Sequence, residues 1–352
     1  MKEKNYSISL LRMLAVISIF FCHSFEYSSS IFINKGWILK SIGNYLANGV
    51  QVFLIISGYL YGNKKNKIER SEGNLFVNSE TRIRFLIKNS LKILKDYWIY
   101  CILVIFPVYY FKEPLVLTKR KIIEVLITSD TINGVHHLWF IPYILFCYFL
   151  TSYLFDIKEY LKNRSKKSFI KGIIFLLFII IIFSYFFKFY FIYEWICCYV
   201  IGFFMTDIIK ILNYSEKRAL KLFIFLNFAI LNILRYYCNY INPDFYTTNV
   251  SLEITRWSQV FFAIVVFLMI YKVKILSRSL KKILDFSDKY SYDIYLAHMI
   301  YVKGALSVMF LTNVLIFNYI IGLFLSIVSG IILYYICRKL EKLISLKKES
   351  KQ

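Results

Sequence analysis

Ten stretches of roughly 17–25 mostly apolar residues recur along this chain. They lie near 8–27, 44–61, 90–111, 136–155, 170–187, 189–209, 219–237, 256–272, 290–311 and 314–337. In hydrocarbon a backbone must satisfy its own hydrogen bonds, so stretches of this kind cross a bilayer as helices. The expected fold is all-α, a polytopic transmembrane helical bundle of about ten spans. Composition agrees: 59% of residues are hydrophobic and mean hydropathy is +0.57, against about 45–50% apolar residues in soluble domains. Neither a repeat nor a low-complexity linker divides the spans. Residues 1–340 therefore read as a single membrane domain and 341–352 as a short basic tail. The polar run 62–82 reads as a flexible loop, and the fifth and sixth spans need a tight hairpin around Lys188.

The net charge of +23 would suit nucleic acid only if the cations shared a soluble surface. Here they gather between spans, as cytoplasmic loops do under the positive-inside rule. With the N-terminus inside, the cytoplasmic segments hold 31 of the 44 Lys and Arg, and the outer segments hold 7. Both termini are thus expected in the cytoplasm, in a multi-pass protein of the cell membrane whose first partner is the lipid bilayer. A nucleic-acid partner is not expected. The seven cysteines, mostly inside apolar segments, lack metal-ligand spacing and read as small apolar filler. No metal site is expected. The first span carries internal charges and lacks a small-residue cleavage site, so it does not read as a cleavable signal peptide.

Those internal charges are Arg12, His23 and Glu26. Ionisable groups at membrane depth are expensive and are kept mainly where they work. Eleven residues of helix make about three turns, so Arg12 and His23 share one face about 16 Å apart. Glu26, three residues beyond His23, neighbours it on that face. On the expected topology Arg12 lies near the cytoplasmic side and His23 in the outer half. A site reaching from inside to outside suits a donor and an acceptor on opposite sides. A carboxylate beside a buried imidazole keeps it oriented and basic, as a general base requires. The plainer alternative for His23 is a structural interhelical hydrogen bond. Arg12 has the forked donors to bind an anionic donor, or it snorkels to the inner headgroups.

Other groups carry two readings each. Lys88, Lys92 and Lys95, spaced four and three apart, place three ammoniums near one helix face. They would hold the phosphates of a cytoplasmic cofactor or simply anchor a span. HHLWFI (136–141) would line a cavity through His137 and Trp139, or anchor at the interface, leaving His136 and His137 in water. His298, with Ser291, Tyr292 and Tyr295 on nearby turns, is a substrate-lining residue or part of a packed polar knot.

Taken in order, these pieces resemble the acyltransferase 3 family. Arg12, His23 and Glu26 match its first span, and VFLIISGYL (52–60) is similar to its F-F-x-x-S-G-[FY]-[LI] signature. LKILKDYW (91–98) sits where the family carries arginines followed by R-I-x-P-x-Y. HLWFI (137–141) and SYDIYLAH (291–298) resemble its later motifs. The resemblance implies transfer of an acyl group, usually acetyl from acetyl-coenzyme A as co-substrate, to a carbohydrate hydroxyl. No permanently bound cofactor is implied. By the same resemblance His23 is the catalytic base and Glu26 its partner, with Arg12 at the donor end. Ser57 and Gly58 shape a helix break, while Trp139 and His298 line the cavity. Lysines replace the family's arginines, and Lys95 its proline; a lysine lacks the bidentate fork. Arg82 and Arg84, just upstream, are the candidates to supply a guanidinium. The rival reading is a non-catalytic exporter of polysaccharide or lipid-linked sugar, which would show internal repeats; none is visible.

Overall fold

In the computed structural model, residues 4–29, 36–63, 78–112, 118–128, 135–162, 164–186, 193–213, 218–241 and 248–349 are described. Every regular element among them is helical. The α-helices are α1 (Tyr6–Ser29), α2 (Gly36–Leu46), α3 (Gly49–Gly62), α4 (Ser79–Tyr100), α5 (Phe106–Lys112), α6 (Lys119–Thr128) and α7 (Phe140–Lys162). They continue with α8 (Lys166–Phe186), α9 (Tyr193–Asn213), α10 (Arg218–Tyr236), α11 (Asn249–Ile270), α12 (Arg278–Val302) and α13 (Leu315–Glu349). Among the described residues seven helices are long and apolar enough to cross a membrane, those containing α1, α7, α8, α9, α10, α11 and α13. The hairpin expected around Lys188 and most of the 62–82 run lie outside the described residues.

Three expected spans differ from their helices. The stretch 44–61 is divided at Ala47 and Asn48, and α3 has only 14 residues, a rise of about 21 Å where a bilayer core needs about 30 Å. The stretch 90–111 belongs to a longer helix that starts at Ser79. Its early turns carry Arg82, Arg84 and Lys88, which the hydrophobic window left out. The stretch 290–311 holds a helix only to Val302, and residues 303–314 form turns. Asn78 Oδ1 accepts the Thr81 amide at the start of α4, and Ser277 Oγ accepts the Leu280 amide at the start of α12. These caps fix helix starts that hydropathy cannot see. The tail is helical too, since α13 runs past Leu340 to Glu349.

Two compact units form. The first comprises Met1–Leu11, Asn48–Leu86 and Phe146–Ile275. Its tightest contact is α3 against α9. A Cβ added at Gly58 would stand 2.0 Å from Tyr199 O, one at Gly62 2.0 Å from Phe203 O, and one at Gly202 2.2 Å from Ile55 O. Gly58 and Gly62 form the small-xxx-small pattern that lets membrane helices touch backbone to backbone. The helix break expected at Ser57 and Gly58 is therefore corrected: α3 is continuous there, and Gly58 serves packing. Lys158 pairs with Asp207 at 2.9 Å and donates to Gly62 O at 3.0 Å. Arg82 pairs with Asp156 and lies 4.4 Å over the Tyr153 ring. On α8, Ile174, Phe175, Phe178 and Phe183 are exposed, as a helix facing lipid requires.

The second unit comprises Arg12–Ala47, Ile87–Leu145 and Leu276–Gln352. Between α4 and α5, residues 101–105 are π-helical, and the Phe106 amide bonds Cys101 O, five residues back. Pro107, one residue further on, has no amide to give the α-helical ladder, and a local widening accommodates that loss. A short 3₁₀ turn, His136–Trp139, precedes α7, and Pro142 falls in the first turn of that helix, where its missing donor is not needed. Phe20, Met299, Val302, Met309 and Tyr319 form an apolar core around the α1 and α12 segments.

Candidate active site

Three of the chain's four histidines meet in the second unit. His23 comes from α1, His137 from the 3₁₀ turn and His298 from α12. The His23 and His298 rings stack with centroids 5.7 Å apart and planes 25° from parallel. His137 meets His298 edge-on at 4.7 Å. His298 Nδ1 lies 2.6 Å from Tyr295 O and His137 Nε2 lies 3.1 Å from Leu296 O. A carbonyl only accepts, so each of those nitrogens carries a proton. The Tyr295 hydroxyl donates back to His137 O, tying the 3₁₀ turn to α12. Phe20 and Phe140 wall the cluster, meeting His298 and Tyr295 respectively. Trp139 packs against Phe140 and Tyr143 and so borders the cluster through Phe140. The side chain of His136 lies outside the described residues.

Glu26 approaches His23 Nδ1 to 3.7 Å, and its side chain is 70% exposed. That is longer than a hydrogen bond, so the two groups interact through charge when His23 is protonated. Eleven residues toward the N-terminus, Arg12 Nη1 pairs with Asp288 Oδ1 on α12 at 2.7 Å. Thus α12 meets both ends of the polar face of α1, with a carboxylate at one and an imidazole at the other.

The lysine group divides. Lys88 and Lys92 lie exposed on α4. Lys95 turns inward, 3.4 Å from Asp96 and paired with Glu341. Arg338 of α13 joins them, 3.1 Å from Asp96 and 2.5 Å from Glu341. Asp96, Asp293 and Cys337 are all buried, and their potential ligand atoms lie within 4.8 Å of one another. The ammonium of Lys95 and the guanidinium of Arg338 already bring positive charge to this cluster. Cys22, His23 and Glu26 form the other group with metal-ligand proximity among the described residues.

Ser57, Arg82 and Arg84 belong to the first unit. Ser57 is half-buried on α3. Arg82 is engaged by Asp156, and Arg84 pairs with Glu80 at 2.7 Å on an exposed face. Sequence reasoning missed Asp288, Asp96, Asp293 and Arg338. Asp96 and Asp293 fall inside expected spans, where an acidic residue is itself a signal. Asp288 fell in an expected loop and gave none.

This is a helical membrane protein with an imidazole cluster beside a charged helix face. The sequence profile of an acyltransferase domain matches residues 5–336, nearly the whole chain. The chain belongs to the acyltransferase 3 family and is a membrane acyltransferase. Comparison with curated proteins and with solved structures finds no match.

Proposed function

We propose that the protein is an O-acyltransferase, in the first instance an O-acetyltransferase of the cell membrane. It moves an acyl group from cytoplasmic acyl-coenzyme A to a hydroxyl of a cell-surface or exported polysaccharide or its precursor. The observation that carries this reading is the stacking of His23 on His298, on a helix whose other end holds Arg12 against Asp288. His23 takes the proton of the acceptor hydroxyl through Nε2, since Nδ1 faces Glu26. The oxygen attacks the thioester carbonyl and the carbon–sulfur bond breaks. The imidazolium then returns the proton to the departing thiolate, which balances the step. Glu26 favours that imidazolium by its charge. His137, Trp139, Tyr295 and His298 line the acceptor side.

The donor's phosphates fall to Lys88 and Lys92, with Arg12 and Lys95 joining once they exchange their carboxylates for phosphate. Arg84, four residues before Lys88 on α4, extends that basic face, while Arg82 stays with Asp156. The pantetheine arm of the donor carries its thioester away from the phosphates and toward His23. The membrane topology that serves this path has about ten crossings and cytoplasmic termini. The α4–α5 helix and α12 add crossings beyond the seven apolar helices, and α3, with 14 residues, adds another where the bilayer thins around a short helix. Exposed Trp37, Ile38 and Ile42 suit α2 to the outer interface. Residues 1–340 act as one catalytic domain.

The test is transfer of label from acetyl-coenzyme A to envelope glycan in membrane vesicles. His23→Ala is expected to lose transfer by at least about 10²-fold while inserting normally. Wild-type transfer with undiminished rates in His23→Ala would overturn the base assignment.

A further inference from the structure

The first unit holds an apolar cavity of 200 Å³ where α9 ends, α10 begins and α11 ends. Ile209, Phe225, Leu268 and Met269 form its walls, and Lys221 and Lys272 line it as well. Both lysines are exposed, and so are Phe225 and Met269, at 45% and 64%. Pockets that enclose a soluble small molecule run to about 300–1,000 Å³ and bury most of their ligand. This cavity is smaller, and its walls continue onto open apolar surface. It therefore fits a ligand that is partly enclosed and whose remainder lies in an apolar medium. Ammonium groups at the ends of membrane helices sit at headgroup depth, where they attract anionic lipid. Lys210 of α9 and Lys274, beyond α11, add positive charge to the same helix ends. On α9, Asp207 is already paired with Lys158.

We propose that this cavity binds an anionic phospholipid, its phosphate held by Lys221 and Lys272 and its first methylenes lying along Phe225, Leu268 and Met269. The complementarity is one of charge and of shape: two cations beside an apolar groove match a phosphodiester joined to an acyl chain. A zwitterionic headgroup carries its own ammonium and is disfavoured by the lysines.

The full-length protein in nanodiscs of phosphatidylcholine with a minor share of phosphatidylglycerol provides the test, with retained lipid read by native mass spectrometry. Wild type is expected to keep phosphatidylglycerol in preference to phosphatidylcholine. A Lys221→Gln/Lys272→Gln variant is expected to lose that preference, by about fivefold for each lysine. Leu268→Trp, which fills the cavity and leaves both lysines in place, is expected to lose it too. Lys171→Gln, at an exposed lysine on α8, is expected to change nothing. Equal retention of the two lipids by wild type, or an unchanged preference in the double variant, would overturn the proposal. Displacement of the lipid by millimolar inorganic phosphate would mark a bare anion site and overturn it equally.

Discussion

His298 is oriented by its own helix. Its Nδ1 donates to Tyr295 O, so in the neutral ring Nε2 is left with a lone pair, buried and without a hydrogen-bond partner among the described residues. The stacked contact with His23 makes His298 the neighbour best placed to hold the proposed base in position. His298→Phe keeps a ring of similar shape in the cluster and removes both nitrogens. We expect it to lower the transfer rate about 10²-fold, the scale of a misplaced catalytic group, while the protein still inserts. An unchanged rate in vesicles would show that the ring only packs. The register of Arg12 and His23 was legible because helical periodicity depends on spacing alone. The partner of Arg12 was not, because Asp288 lies 276 residues away in the chain and fell in an expected loop.

Helix packing was legible at some crossings and hidden at others. The signature VFLIISGYL drew attention to Gly58, yet only the contact with α9 shows why a side chain is not tolerated there. A Cβ at Gly58 would meet backbone, at 2.0 Å from Tyr199 O and 2.8 Å from Phe203 N, and backbone yields less easily than a flexible side chain. Gly58→Ala is expected to cost about 1–3 kcal/mol or more, in line with other overpacked contacts. Thermal unfolding in detergent measures it; an unshifted midpoint would remove the close crossing. Asp96 and Asp293 lie inside expected spans, a local signal that sequence reasoning passed over. Their shared surroundings with Lys95, Arg338 and Glu341 depend on α4, α12 and α13 coming together, which no local pattern encodes.

For the molecule as a whole, orientation rests on loop charge and is open to direct measurement. All seven cysteines are buried, so an impermeant maleimide should find little background in intact cells. Lys40→Cys and Lys119→Cys, at exposed positions that loop charge assigns to the outside, are expected to label from outside. Lys166→Cys and Lys282→Cys, also exposed, are expected to label only after permeabilisation. The reverse pattern would invert the topology. Labelling of Lys119→Cys only from within would remove the crossing assigned to the α4–α5 helix.

The amino-acid pattern was enough to establish a helical membrane protein, the in-register face of Arg12 and His23, and the motifs of its family. Each depends on composition or short-range spacing, which survive without a folded context. Folding supplied the rest: the caps that start α4 and α12, the 14-residue length of α3, and the end of α12 at Val302. It also brought three histidines from distant segments into one cluster and gave Arg12 its carboxylate. Those outcomes depend on which helices touch, and contact between remote segments is settled by packing across the bundle, where one backbone approach or one buried charge pair outweighs local preference.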